Sequence, residues 1–284
     1  MSTQQAKVIL VASQKGGSAK TTNVINLATA SLFRGTRNVV ILDCDPQRSA
    51  MLWQEDNRSD RLKNYEYVLP QVVAPVNEMM PSDLIKKLRG SMDEIWIDTA
   101  GFVGYSNDTA QKYLNDILPF VDLIITPLKA SKFDINATKD TMDYLNFMGT
   151  NMNLNVPKLL LPSDIKNGEK GINYMHSLLE PLLSDPANSS WSLMSTHIPY
   201  SGVFVKALEK GGNAFVPRKI DKVTEAFLSA LLEIHEKLGI TSESEKRSSV
   251  QDIIADLQST RSSAEKEKLQ DDLEDEVLEE TEEE

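Results

Sequence analysis

Two lysines five positions apart, Lys15 and Lys20, bracket a pair of glycines directly after the apolar run Val8 to Ala12. No other part of the sequence constrains the fold as tightly. A buried strand that ends in Gly16-Gly17 lets backbone N–H groups turn inward around an anion, and the next segment, Thr21 to Phe33, can present a helix N-terminus to the same charge. The octapeptide Lys15-Gly16-Gly17-Ser18-Ala19-Lys20-Thr21-Thr22 therefore reads as a phosphate cradle.

The usual P-loop has Gly, four residues, then Gly-Lys-Ser/Thr, and here Gln14 and Ala19 occupy both glycine positions. What fits is the deviant Walker A box, KGGxxK[ST]. Ala19 carries a condition: if its position demands a positive φ, a left-handed alanine costs about 1 kcal/mol. Three further apolar runs deliver chemistry at their C-terminal ends, where α/β sheets place it. Asn38 to Leu42 ends in Asp43-Cys44-Asp45-Pro46-Gln47, and alternation along a strand predicts that Asp43 and Asp45 point to one side. Glu94 to Ile97 delivers Asp98, in the form of a Walker B strand, followed by Thr99-Ala100-Gly101. Leu123 to Thr126 leads into Pro127-Leu128-Lys129-Ala130-Ser131-Lys132-Phe133-Asp134, where Asp134 either caps the next helix or serves a switch or dimer contact.

On these residues the chain resembles the ParA/MinD family of ATPases. It is most similar to the small plasmid-partition ParA proteins, through Asp45 to Trp53, Pro127 to Asp134 and Ile198 to Val216. The resemblance runs from residue 6 to roughly residue 238. It implies that Lys20 contacts the β- and γ-phosphates of ATP, that Thr21 ligates Mg²⁺, and that Thr22 lies near the α-phosphate. Gly16, Gly17, Ser18 and Ala19 complete the loop. Lys15, the signature lysine, is implied to reach across an ATP-bound homodimer to the nucleotide of the partner subunit. Asp98 is implied to hold Mg²⁺ through water, Asp43 to support the metal shell, and Asp45 to orient the attacking water. Pro162-Ser163-Asp164 stands where the family often has an asparagine or basic residue near adenine, which leaves Pro199 as a candidate for the base.

The same resemblance implies non-specific DNA as a second ligand, held by Lys206, Lys210, Arg218, Lys219 and Lys222 through phosphates in a salt-dependent way. Glu209, Asp221 and Glu225 are interspersed, so a solvated mixed-charge face is the alternative. The expected activity is weak, partner-stimulated ATP hydrolysis. The expected role is to move a plasmid or other cargo over the nucleoid with an adaptor or centromere-binding protein, in the cytoplasm. A ParA-like accessory factor in conjugative DNA transfer shares most of this site. A MinD-type membrane-associated positioning ATPase needs a terminal helix with basic and apolar faces, and the acidic end argues against it. An electron-transfer ATPase like the nitrogenase iron protein needs two cluster cysteines per subunit, and the sequence has only Cys44.

Strands alternating with helical patterns predict a mostly parallel twisted sheet with helices on both faces. Helices are expected over Thr21–Phe33, Arg48–Gln54, Pro81–Arg89, Thr109–Leu118, Asn136–Phe147, Lys170–Leu183, Val203–Lys210 and Lys219–Leu238. Further strands are expected over Leu159–Leu161 and near Ser195–Ile198. The net charge of -12 is uneven. Residues 241–284 carry 16 acidic and 5 basic side chains, against 26 and 25 in residues 1–240. The reading is an ATPase domain over 1–240 and an acidic tail over 241–284, partly helical or disordered, with Val250, Ile253, Ile254 and Leu257 at helical spacing. No apolar run long enough for a bilayer and no leader-like N-terminus is evident, so neither export nor membrane insertion is expected. His176, His197 and His235 stand apart and read as structural or surface residues, and Cys44 as a small buried one.

Overall fold

The computed structural model describes residues 5–36, 38–57, 69–76, 79–102, 108–202, 204–205, 212–215 and 222–240. The acidic tail expected over 241–284 lies outside them, as does most of the helix expected over Val203–Lys210.

Apolar runs bounded by turn residues form the strands β1 (Lys7–Val11), β2 (Val39–Cys44), β3 (Gln71–Val73), β4 (Glu94–Thr99), β5 (Leu123–Leu128), β6 (Lys158–Pro162) and β7 (Trp191–Leu193). They make one sheet in the order β3-β2-β4-β1-β5-β6-β7, with every pairing parallel. A parallel sheet is covered on both faces, so its inner strands bury every residue instead of alternating. All six residues of β2, β4 and β5 are buried accordingly.

The helices are α1 (Lys20–Arg34), α2 (Ser49–Asn57), α3 (Pro81–Leu88), α4 (Thr109–Ile117), α5 (Lys132–Asn151), α6 (Gly168–Leu183) and α7 (Lys222–Lys237). Right-handed crossovers fix their faces. The chain moves toward β3 after β1 and β2, and toward β7 after β3, β4, β5 and β6. Hence α1 and α2 cover one face and α3 to α6 the other. Helix pairings agree: α1 packs with α2 and α7, α3 with α4, and α5 with α6. The chain leaves β1 toward β3 and leaves its neighbour β5 toward β7, which puts a topological switch point at the C-terminal ends of these two strands.

Two expectations shift. The last strand is Trp191–Leu193, a few residues before the position read from Ser195–Ile198, and the residue just after that stretch, Pro199, makes an isolated bridge to Ile165. Trp191 fixes the register by donating its indole N–H to Asn146 Oδ1 at 3.0 Å. Helix α5 starts four residues earlier than expected, because Ser131 caps it by accepting the backbone N–H of Asp134 at 3.2 Å.

Candidate functional site

The lysine-glycine loop leaves β1 at the switch point and enters α1. Ala19 is the N-cap of α1 and adopts φ 70°, ψ 25°, so the condition attached to this alanine is met. Its methyl group offers no capping acceptor, and the first-turn amides keep their donors free. Gly17 also has a positive φ, 70°. Lys20 is 7% exposed, and its Nζ donates to the carbonyl oxygen of Lys15 at 3.1 Å, closing the loop on itself. Burial pushes the Lys20 pKa down, while Asp98 and Asp45 pull it back up.

Asp98, at the C-terminal end of β4, stands in register with Val11 on one side and Asp43 on the other. It is fully buried. Thr21 Oγ1 donates to Asp98 Oδ2 at 2.7 Å, but Oδ1 has no partner although it is buried. Burial pushes the Asp98 carboxyl up to about 7, with Thr21 opposing and the Asp43 charge adding to the rise. An orphaned carboxylate oxygen beside a threonine hydroxyl offers the oxygen donors that a hydrated divalent cation takes. The donor set Thr21 and Asp98 therefore fits Mg²⁺. Ser18 Oγ, also buried and unpartnered, adds a free polar atom within the loop.

Asp43 is committed differently. Its Oδ1 accepts the N–H of Asp45 and its Oδ2 the N–H of Met51, both at 3.0 Å, so it organises the turn from β2 into α2. Burial raises its pKa, and those two backbone bonds oppose the rise. β2 ends at Cys44, so the alternation expected to place Asp43 and Asp45 on one side stops before Asp45. Asp45 opens a turn: its Oδ1 accepts Gln47 N–H at 2.8 Å, and its carbonyl accepts Arg48 N–H at 2.9 Å. Arg48, left-handed at φ 55°, braces this turn through the carbonyls of Asp43 and Pro75.

Lys15 lies on the rim, its side chain 40% exposed, and its Nζ is 2.5 Å from Asp134 Oδ1. Asp134 thus faces the signature lysine, while Ser131, not Asp134, supplies the helix cap. The loop is tied to α5 a second time, because Gln14 donates its backbone N–H to Thr141 Oγ1 at 3.1 Å. Behind the loop sits Gly101, where an added Cβ would lie 2.9 Å from Gln14 O and 3.1 Å from Gly16 N. Only glycine fits there, and the sequence motifs do not reveal it.

On the other side of Ala19 a cavity of about 180 Å³ is lined by Thr22, Asn23, Ser163, Pro199, Tyr200 and others. Asn23 donates to Ser163 Oγ at 3.1 Å, and its Oδ1 is buried without a partner. Lys129 and Asp164 pair at 3.0 Å on the same wall. Pro199 is thereby brought to the loop, together with Ser163 and Asn23, which sequence reasoning had not assigned. Of the basic residues proposed for DNA, Lys222 is exposed at the start of α7. Lys206, Lys210, Arg218 and Lys219 lie outside the described residues.

Comparison with known proteins supplies the family. The CobQ/CobB/MinD/ParA nucleotide binding domain matches residues 9–277. The chain belongs to this family. A curated member, protein ParA of Rhizobium radiobacter, is 24% identical over 127 residues, 45% of this chain and 50% of its own length. The chain thus spans about half the length of that relative. Among solved family structures, a putative plasmid partition protein from Borrelia burgdorferi bound to AMPPNP superposes with a TM-score of 0.56 at 21% identity, covering 82% of this chain and 99% of the other. The septum site-determining protein MinD of Pyrococcus horikoshii, complexed with Mg-ADP, gives 0.57 at 19% identity, covering 84% and 100%. At these identities the likeness establishes the family's fold, a seven-stranded parallel sheet with flanking helices.

Proposed function

We propose that this chain is an ATP-dependent positioning ATPase, which binds ATP with Mg²⁺, dimerises on it, hydrolyses it slowly, and moves a plasmid or other cargo over DNA with an adaptor protein. The observation that carries the reading is the contrast between its two loop lysines: Lys20 is buried within the loop, whereas Lys15 stands half-exposed on the rim. A lysine in the loop neutralises phosphate of its own nucleotide; one on the rim is placed to serve another subunit's.

The division of labour follows from the residues. Free amides of the first turn of α1 and of the glycine loop receive the phosphates, and Lys20 exchanges the Lys15 carbonyl for phosphate oxygens. Thr21 and Asp98 hold Mg²⁺, which neutralises charge developing on the phosphoryl group. Asp43 fixes the turn that carries Asp45, and Asp45 orients the attacking water. For Lys15 to cross to a partner it must leave Asp134, so dimerisation and release of that ion pair are one event. Pro199, Ser163 and Asn23 receive the base. DNA is bound by the basic residues around Lys206, Lys210, Arg218, Lys219 and Lys222.

The test is a pair of variants. Lys20→Ala lowers ATP affinity about 100-fold, from the loss of charge-assisted bonds worth about 3 kcal/mol. Lys15→Ala leaves nucleotide affinity near that of the wild type and abolishes the ATP-dependent dimer seen by ultracentrifugation. Equal loss of ATP affinity in both contradicts the division between loop and rim.

A further inference from the structure

At the sheet end remote from the nucleotide loop, a second cavity of about 320 Å³ lies between the C-terminal end of α5, the start of β6 and the start of β7. Its walls include Asn146, Thr150, Asn153, Asn155, Lys158 and Ser190. Lys158 is the only charged residue among those that line it. That lysine is 5% exposed. Its Nζ donates to the carbonyl oxygen of Val156 at 3.2 Å and to Ser190 Oγ at 3.0 Å, and lies 5.9 Å from the centre of the Trp191 ring. An ammonium group has three protons to give, and these two acceptors take two of them. Among the described residues no carboxylate pairs with it.

A buried ammonium without a counter-ion is costly, and burial lowers the Lys158 pKa accordingly; a bound anion would offset that cost. Here the surroundings are built to receive one. The cavity wall is fixed: Asn146 accepts from the Trp191 indole and donates to Ala187 O and Asn188 Oδ1, and Gly149 packs so that an added Cβ would lie 3.3 Å from Leu154 O. Asn153 and Asn155, both exposed, also line it, and each carries an amide able to donate. Donors and one cation, with no acid, select an oxyanion.

We infer that this cavity is an anion site, in which Lys158, Ser190, Asn153 and Asn155 bind the carboxylate or phosphate group of a small molecule. It is separate from the nucleotide loop, which lies at the opposite ends of the strands.

The experiment titrates the full chain with sodium phosphate or sodium acetate at constant ionic strength, in saturating ADP and Mg²⁺ so that the loop does not report, and follows Tm. The wild type gains roughly 2–4 °C and Lys158→Met, which keeps the stem and removes the charge, gains nothing. No gain in the wild type, or equal gains in both proteins, overturns the site. Asn155→Asp guards against a misfolded methionine variant by placing a carboxylate among the lining residues: it raises Tm without any probe and loses the response, whereas an unchanged response overturns the inference. A larger gain with phosphate than with acetate assigns a phosphate ligand, the reverse a carboxylate, and either supports the site.

Discussion

Strand β4 carries a buried carboxylate at each end, and the two are treated in opposite ways. Glu94, at its start, is 2% exposed and fully engaged: Oε2 accepts from Ser31 at 2.6 Å and from the Trp96 indole at 2.9 Å, and Oε1 lies 2.8 Å from His235 Nε2. Burial alone would raise its pKa, but His235, with Ser31 and Trp96, brings it below the ordinary value. Arg34 completes the cluster by bonding the other ring nitrogen, so three elements, α1, β4 and α7, are joined at one point. Asp98, four residues later, has one bonded oxygen and one orphan, and its pKa is raised to about 7. A carboxylate whose lone pairs are all used holds a fold together. One with an oxygen left over is waiting for a ligand.

The largest expected effect is at the satisfied end. Glu94→Ala strands His235 and Arg34 and should cost about 3–5 kcal/mol in denaturant unfolding, with nucleotide affinity of the folded fraction unchanged. Its pH signature is acidic: a folded-state pKa below the unfolded one gives stability that is present above about pH 4 and lost as pH falls through the folded value.

Asp98→Asn should do the reverse. In the nucleotide-free protein the wild type binds a proton that the unfolded chain has released, so it loses stability as pH rises from about 4 to about 7. The asparagine variant escapes this loss and gains up to about 4 kcal/mol at pH 8, with little gain at pH 4, while Mg²⁺-dependent nucleotide binding disappears. Chemical unfolding of both variants across pH decides the matter; effects of the same sign at pH 8 would break the contrast between the two ends.

A smaller effect is expected from Gly101→Ala. The new methyl group drives into Gln14 O and Gly16 N, and overpacking of this kind costs about 1–3 kcal/mol of stability, read as a lower midpoint in urea. The smallest is Ala19→Gly, which removes left-handed strain and should stabilise the chain by about 1 kcal/mol, visible as a higher midpoint in urea.

The nucleotide end of the molecule was largely legible in the sequence because its signals are local. An apolar run, two glycines and two lysines within one octapeptide specify the turn from β1 into α1, and β4 announces Asp98 as the residue that ends a continuous apolar stretch. Glu94 was not legible, since its partners Ser31, Arg34 and His235 come from distant parts of the chain. Edge strands were the hardest: β3 has three residues, only one of them buried, which leaves no periodicity to read. The start of α5 could have been found, because Ser131 followed three residues later by Asp134 is a helix-entry signal in its own right.

The side chain of Ala19 has one more consequence. Helices α4 and α5 begin under Asp108 and Ser131, whose oxygens occupy amides of the first turn. Position 19 presents only a methyl group there, so no side-chain oxygen of the cap competes with an incoming anion for the amides of α1.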